Sequence, residues 1–103
     1  MPIIVASIVP KPERIDEVRA VLLAAVQQVH KEPGCKLYSA HEAPGKFFFI
    51  EEWADEAALA AHSSSPAVAE MGKRLEGLLD GGFDLNFLTT LPAGDPALGQ
   101  LRP

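Results

Sequence analysis

Two short segments of this chain are apolar on both of the faces that a β-strand presents. The first is PIIVASIVP, which predicts a strand at 2–9 that Pro10 ends, with Ile3 on one face and Ile4 on the other. The second is FFFIEEW at 47–53. A strand that is apolar on both sides needs a cover on both sides. The fold must therefore bury both faces of the sheet that contains these strands.

The remaining segments place helices and further strands around this pair. Apolar residues at helical spacing predict a helix from Pro12 to about Lys31, and the alternating CKLYSAHEA predicts a more polar strand before the PGK turn. Asp55 is expected to cap a second helical stretch, which the SSSP segment interrupts. The predicted bounds are 12–31, 35–43, 47–53, 55–62, 66–79 and 83–91. This order, βαββαβ, is that of the α+β ferredoxin-like fold.

The number of helices decides how many sheet faces one chain covers. Two helical layers suffice for one face of a four-stranded sheet, and nothing else in the chain remains for the other. A monomer would then expose a larger apolar patch than soluble monomers usually show. We therefore expect a homodimer that packs sheet face against sheet face. The domain is predicted to span 1–91, and the Pro- and Gly-rich segment 92–103 to form an arm that is loose or lies on the partner.

Composition argues against several partners and compartments. The net charge of −5 provides no basic face for nucleic acid or for an anionic membrane, and no apolar run is long enough to span a bilayer. The only cysteine, Cys35, forms no internal disulfide, and no signal peptide is recognised, so the expected location is cytoplasmic. No metal-binding or nucleotide-binding spacing is found, so no metal and no cofactor is predicted.

Candidate functional residues gather where the third strand meets the second helix. Glu51 and Trp53 are two residues apart and share one face of their strand, while His62 is expected on the helical side that faces the sheet. We expect Trp53 and His62 to approach each other with a flat aromatic ligand between them, and the histidine to act as a base or donor. Tyr38 is a candidate hydrogen-bonding partner in the same cavity.

Each of these residues also has a structural alternative. Trp53 and Tyr38 can be packing residues, and His62 can hydrogen-bond a carbonyl at the end of its helix. Glu51 can be a solvated strand end, a partner of the helix start or one half of a salt bridge in the dimer. The residues alone leave both interpretations open.

The segment from Lys31 to Pro66 resembles the signature of the antibiotic-biosynthesis-monooxygenase domain family, which includes small quinol monooxygenases. The shared features are the EPGC turn at 32–35, Tyr38, the E-x-W pair of Glu51 and Trp53, and the A-L-x-x-H helix that runs to His62. The wider resemblance covers about residues 3–91. It implies a dimeric α+β barrel with a pocket between the sheet and the helices of each subunit.

The same resemblance implies roles for individual residues. Some family members oxidise quinols or polycyclic phenols with O₂ and use no metal or flavin. By this likeness His62 is the expected proton acceptor or hydrogen-bond donor, and Trp53 the wall against the substrate ring. The expected substrate-binding residues are Tyr38, Glu51, Ser7 and Met71. The implied substrate is a small aromatic or quinone-like molecule.

Two other functions stay open. The second hypothesis is an isomerase or lyase that acts on a small carbonyl compound, since the fold also hosts such isomerases, and the third, which the sequence does not exclude, is a non-catalytic dimer that binds a hydrophobic ligand. The arginines that a phosphorylated substrate would need are scattered along the chain at Arg14, Arg19, Arg74 and Arg102. Haem degradation is not expected, because the iron-binding histidine of related enzymes corresponds here to about Met71 and Gly72.

Overall fold

The structure, a computed structural model that describes residues 1–101, consists of one antiparallel sheet and three α-helices. Its elements are β1 (Ile3–Ile8), α1 (Ile15–Val29), β2 (Cys35–Ala43), β3 (Lys46–Trp53), α2 (Glu56–Ser63), α3 (Pro66–Leu75) and β4 (Asp84–Leu88). The strand order is β2-β3-β1-β4, and every neighbouring pair is antiparallel. The predicted ferredoxin-like order is confirmed, with α2 and α3 together occupying the position of the second helix.

The break between α2 and α3 lies where the SSSP segment predicts it. Asp55 begins α2 by accepting a hydrogen bond from the Ala58 N–H at 2.8 Å. Ser65 begins α3 in the same way, its hydroxyl accepting from the Val68 N–H at 3.3 Å, and Pro66 occupies the first helical position. The chain therefore changes direction just after His62, which lies in the last turn of α2.

The second predicted helix is too long at its C-terminal end. Instead of continuing to residue 79, α3 ends at Leu75, and Gly77 follows with a φ of +78°. The backbone beyond it pairs with the chain that leaves β1: the Asp80 N–H donates to the Val9 carbonyl at 2.8 Å. This pairing outweighs the helical spacing of the next leucines, and β4 is correspondingly shorter than the predicted strand at 83–91.

Strand alternation gives the two faces of the sheet different neighbours. The even-numbered residues of β1, such as Ile4 and Ile8, belong to the core that the helices cover. Val5 pairs with Ile50 on the opposite face, where Val5, Phe48 and Ile50 are half-buried and Ile3 is buried. One chain therefore covers one face of its sheet with helices, and the homodimer stays a prediction.

Two further predictions concern the C-terminal arm and a possible membrane span. The predicted arm, 92–103, is described as far as Leu101, and its last two residues lie outside the described part of the chain. Its place on a partner and the domain boundary at 91 stay predictions. Among residues 1–101, none of the helices has the length and apolar character needed to cross a membrane.

Gly34 brings the turn after α1 into close contact with α2. Its φ is +81°, and a Cβ atom added there would lie 2.5 Å from the Cβ atom of Ala58. The Ala54 N–H donates to the Gly34 carbonyl at 2.8 Å, which ties the same turn to the end of β3. Only glycine combines this backbone conformation with so close an approach.

We predict that Gly34→Ala destabilises the protein more than Gly45→Ala. Both glycines have a positive φ, which costs an alanine about 1–2 kcal/mol, but nothing lies within 4 Å of the Cβ position at Gly45. The clash with Ala58 adds to that cost only at Gly34. Urea unfolding of both variants measures the difference. Equal losses of unfolding free energy would show that the contact with α2 is unimportant.

Candidate functional site

A cavity of about 240 Å³ lies between the sheet and the helices α2 and α3. Its polar side consists of Tyr38 on β2, Glu51 on β3 and His62 on α2. The other lining residues are Ile4, Ala6, Phe49, Ser63, Val68, Met71, Phe83, Leu85 and Phe87. The fold therefore brings Met71 and three other predicted site residues together. An apolar cavity with a few convergent polar groups is typical of a small-molecule site.

Trp53 lies behind His62 rather than on the wall of the cavity. The two rings stack with their centroids 4.3 Å apart and their planes at 28°, and Trp53 is fully buried. The predicted approach of these residues is confirmed, but the expected ligand between them is wrong, because stacked rings at this distance leave no space. Trp53 therefore packs against the face of His62 that is turned away from the cavity. The side chains that could contact a substrate ring are those that line the cavity.

Glu51 carries a buried carboxylate that its neighbours hold in place. The Trp53 indole N–H donates to Glu51 Oε1 at 3.1 Å, and His62 Nε2 lies 3.6 Å from the same oxygen. Burial raises the pKa of Glu51 above its ordinary value, while the hydrogen bond from Trp53 and a positive charge on His62 act in the opposite direction. The alternative of a solvated strand end is wrong, and Glu51 is a stronger base than an exposed glutamate.

Glu32 is the site residue that the sequence-based predictions missed. His62 Nδ1 and Glu32 Oε1 are 3.0 Å apart, and the Ser65 hydroxyl donates to Glu32 Oε2 at 3.2 Å. The alternative partner for His62, a helix-end carbonyl, is therefore wrong. A carboxylate oxygen accepts hydrogen bonds, so the Nδ1–H of His62 donates to Glu32, and Nε2 is the ring nitrogen nearer to Glu51.

Tyr38 contributes a ring and a protonated hydroxyl to the cavity. Its ring stacks on Phe49 with centroids 4.5 Å apart and meets the His62 ring edge-on at 5.4 Å. Burial, followed by the nearby carboxylates of Glu51 and Glu32, raises the pKa of Tyr38 well above its ordinary value. The hydroxyl therefore stays protonated at neutral pH and can donate a hydrogen bond to a ligand.

Ser7 does not share the site, contrary to its predicted role. It pairs with Phe48 on β3 and belongs to the face of β1 that also carries Val5. The cavity instead receives the even-numbered residues Ile4 and Ala6 of this strand. Because successive side chains of a strand point to opposite faces, Ser7 lies on the far side of the sheet from His62.

The thiol of Cys35 lies near the same carboxylates. Burial, and then the charges of Glu32 and Glu51, raise the pKa of this half-buried thiol. It stays protonated at neutral pH and is a poor nucleophile and metal ligand in that form. Within residues 1–101, no group of three or more His, Cys, Asp or Glu side chains is arranged to hold a metal ion.

A family model matches most of this chain. The model of a family described as antibiotic biosynthesis monooxygenase matches residues 1–74. The chain belongs to the antibiotic biosynthesis monooxygenase family. The matched stretch contains every predicted site residue, from Ser7 to Met71, and also Glu32. The resemblance that the EPGC turn and the E-x-W pair indicate is therefore confirmed.

Solved structures agree with the fold of this family. A crystal structure of an antibiotic biosynthesis monooxygenase is 28% identical, covers 89% of this chain and 100% of its own, and superposes with a TM-score of 0.82. PA3566 from Pseudomonas aeruginosa is 27% identical over 87% of this chain and 93% of its own, with a TM-score of 0.80. Rv0793 from Mycobacterium tuberculosis, 24% identical over 92% and 100%, shares the fold with a TM-score of 0.82.

One curated relative is matched over only part of its length. The uncharacterized protein sll1783 from Synechocystis sp. is 34% identical over 82 residues, which are 76% of this chain and 56% of the relative. The chain thus spans little more than half of that protein. Family membership and these neighbours support a monooxygenase in general terms, without a specific substrate.

We predict that Glu51→Gln becomes more stable relative to wild type as the pH rises. The amide oxygen still accepts from Trp53 but carries no charge. Because the folded-state pKa of Glu51 is raised, the wild type loses stability as the pH increases from 4.5 through that pKa. The variant lacks this loss. Urea unfolding from about pH 4 to 8 measures it, and a stability difference independent of pH would contradict the buried charge.

Proposed function

We propose that this protein is a cofactor-independent monooxygenase that oxidises a small phenol or quinol with O₂. The observation that carries the proposal is the pair of Glu51 and His62 on the wall of a mainly apolar cavity. A phenol transfers electrons to O₂ more readily once its hydroxyl has lost its proton. A buried base next to an apolar surface is what the protein must supply for that step.

The volume of the cavity favours a substrate with one ring or two fused rings. An apolar cavity of about 150 Å³ accommodates benzene, and sites for drug-sized ligands begin at about 300 Å³. The cavity of about 240 Å³ lies between these values. Of the two substrate classes expected from the sequence, small quinols therefore fit better than polycyclic phenols.

The lining residues support specific roles in such a reaction. The lone pair on His62 Nε2 accepts the proton of the substrate hydroxyl, and Tyr38 donates a hydrogen bond to the oxygen that becomes negative. Phe49, stacked on Tyr38, offers a flat surface to the ring. For hydroquinone, the products with O₂ are hydroxyquinone and water: one oxygen atom enters the ring and the other leaves as water with two hydrogen atoms.

The charge of the cavity argues against a phosphorylated carbonyl substrate. None of its lining residues is an arginine or lysine, and the Glu51 carboxylate would repel an anion. Arg14 and Arg19 form ion pairs with carboxylates of the chain, and Arg74 lies on an outer groove. Arg102 lies outside the described residues. An isomerase or lyase of this substrate class is therefore less well supported than an oxygenase.

Oxygen uptake by metal-free protein tests the proposal, with hydroquinones and naphthoquinols as substrates. We expect uptake above autoxidation that falls by roughly 10²–10⁴-fold in His62→Phe, the usual contribution of a general base. The matched control is His41→Phe, since His41 is exposed on β2 and bonds only Ser39 among the described residues. Uptake that His62→Phe leaves unchanged would contradict the role of His62. Binding without uptake would indicate a ligand-binding module instead.

We also propose that two chains pack through the sheet faces that carry Val5, Phe48 and Ile50. These residues are half-buried, and the helices of their own chain cover the opposite face. A second copy would complete the cover, as a two-fold interface of the same patch on both subunits does. Such a dimer leaves the cavity with His62 on the helix side of each sheet.

Sedimentation equilibrium tests this assembly with two substitutions to lysine, one on the proposed interface and one outside it. We predict twice the chain mass of 11.0 kDa for the wild type and the single mass for Ile50→Lys, because a charge buried between apolar sheets is strongly unfavourable. Leu23→Lys is the control, since Leu23 is 54% exposed on α1. A monomeric wild type, or dissociation of both variants, would contradict the sheet-to-sheet dimer.

A further inference from the structure

The two ring nitrogens of His62 face two different compartments. Nε2 lies 3.6 Å from Glu51 Oε1, at the wall of the cavity. Nδ1 lies 3.0 Å from Glu32 Oε1, and Glu32 lines a separate groove of about 610 Å³ between α1 and α3. The imidazole is therefore the connection between the smaller cavity on the sheet side and the larger groove between α1 and α3.

The exposed fraction of the side chains increases from Glu51 through His62 to Glu32. The side chains of Glu51, His62 and Glu32 are 6%, 9% and 16% exposed. The fully buried Trp53 ring covers one face of the imidazole. The groove that Glu32 lines also receives polar side chains, including Gln28, so water in it can exchange protons with the Glu32 carboxylate.

We propose that Glu32 is the outward proton acceptor of His62, and that it stores the substrate proton on the groove side while the cavity holds the substrate and O₂. The proposal rests on the proposed oxygenase function and adds a residue to it. Glu32 acts through His62 and touches no substrate, so it is a positioning and proton-transfer residue. The titratable groups facing His62 are Glu32 from the turn after α1, Tyr38 from β2 and Glu51 from β3.

The proton transfers balance over one turnover. The substrate hydroxyl gives its proton to Nε2, and Nδ1 passes its own proton to Glu32 Oε1, which leaves a neutral ring protonated on Nε2. O₂ takes up electrons from the phenolate and bonds to a ring carbon, and Nε2–H protonates its outer oxygen atom. The O–O bond then breaks, and the outer oxygen leaves as hydroxide, which the C–H proton of the same ring carbon completes to water. Glu32 returns its proton to Nδ1 in the same step in which Nε2–H donates, so the ring stays neutral and regains its first tautomer.

This arrangement keeps the positive charge of the substrate proton out of the cavity. An imidazolium next to the phenolate would stabilise the anion and hold back its electrons. With the proton on Glu32, the ring is neutral and Nε2–H is ready to donate. The second carboxylate oxygen of Glu32 accepts from Ser65 at 3.2 Å, which leaves Oε1 directed at the ring.

Solvent exchange of the His62 Nδ1 proton tests the inference without any substrate. We expect the Nδ1 proton, observed by NMR, to exchange with solvent roughly tenfold more slowly in Glu32→Gln than in wild type. The amide keeps the size of the side chain but cannot carry the proton. Formate added to Glu32→Ala should restore fast exchange, since the groove gives it access to Nδ1. The control is Glu70→Gln, whose carboxylate lines the same groove and is expected to leave the rate unchanged.

Two results would overturn the inference: exchange in Glu32→Gln as fast as in wild type, or slowing of the same size in Glu70→Gln. These outcomes do not depend on turnover, so they are distinguishable from failure of the proposed oxygenase activity. Where a quinol is oxidised, we further expect Glu32→Gln to lower kcat roughly tenfold with KM unchanged, and Glu32→Ala to respond to formate. Unchanged kcat in both variants would refute the storage role while the oxygenase function stands.

Discussion

The structure depends on one line of polar contacts inside an apolar core, from Trp53 to Glu51, His62 and Glu32. A carboxylate or an imidazolium that leaves water loses several kcal/mol of hydration, which only well-placed partners offset. The indole N–H, the imidazole and the second carboxylate are those partners. Gly34 makes the line possible, because its close contact with α2 brings the turn that carries Glu32 to within hydrogen-bond distance of the helix.

Strand alternation separates two tasks within a single sheet. Ile4 and Ala6 face the helices and line the cavity, whereas Val5 faces the opposite side, which is available to a second subunit. The proposed chemistry and the proposed dimer would therefore use opposite faces of the same strands. This separation agrees with the apolar character of both faces of β1 and β3.

The element order and the meeting of Trp53 with His62 could be predicted, because strand and helix periodicity fix which residues share a side. The position of Ser7 could not, since both faces of β1 are apolar and local pattern does not say which one the helices cover. The contact of Glu32 with His62 could not be predicted either, because it depends on the direction of the turn between α1 and β2. The end of α3 at Leu75 depends on pairing of the following backbone with the chain after β1, which outweighs local spacing.

The most direct test of this account is an anaerobic NMR titration with hydroquinone. The chain has one tryptophan and two methionines, so the Trp53 indole N–H and the Met71 methyl group report on the site, and exposed Met1 serves as the internal control. We predict that the Trp53 and Met71 signals shift together and saturate at the same hydroquinone concentration, while the Met1 signal does not shift. A Trp53 signal that stays unchanged, with or without a shift at Met71, would contradict a substrate site at Glu51 and His62.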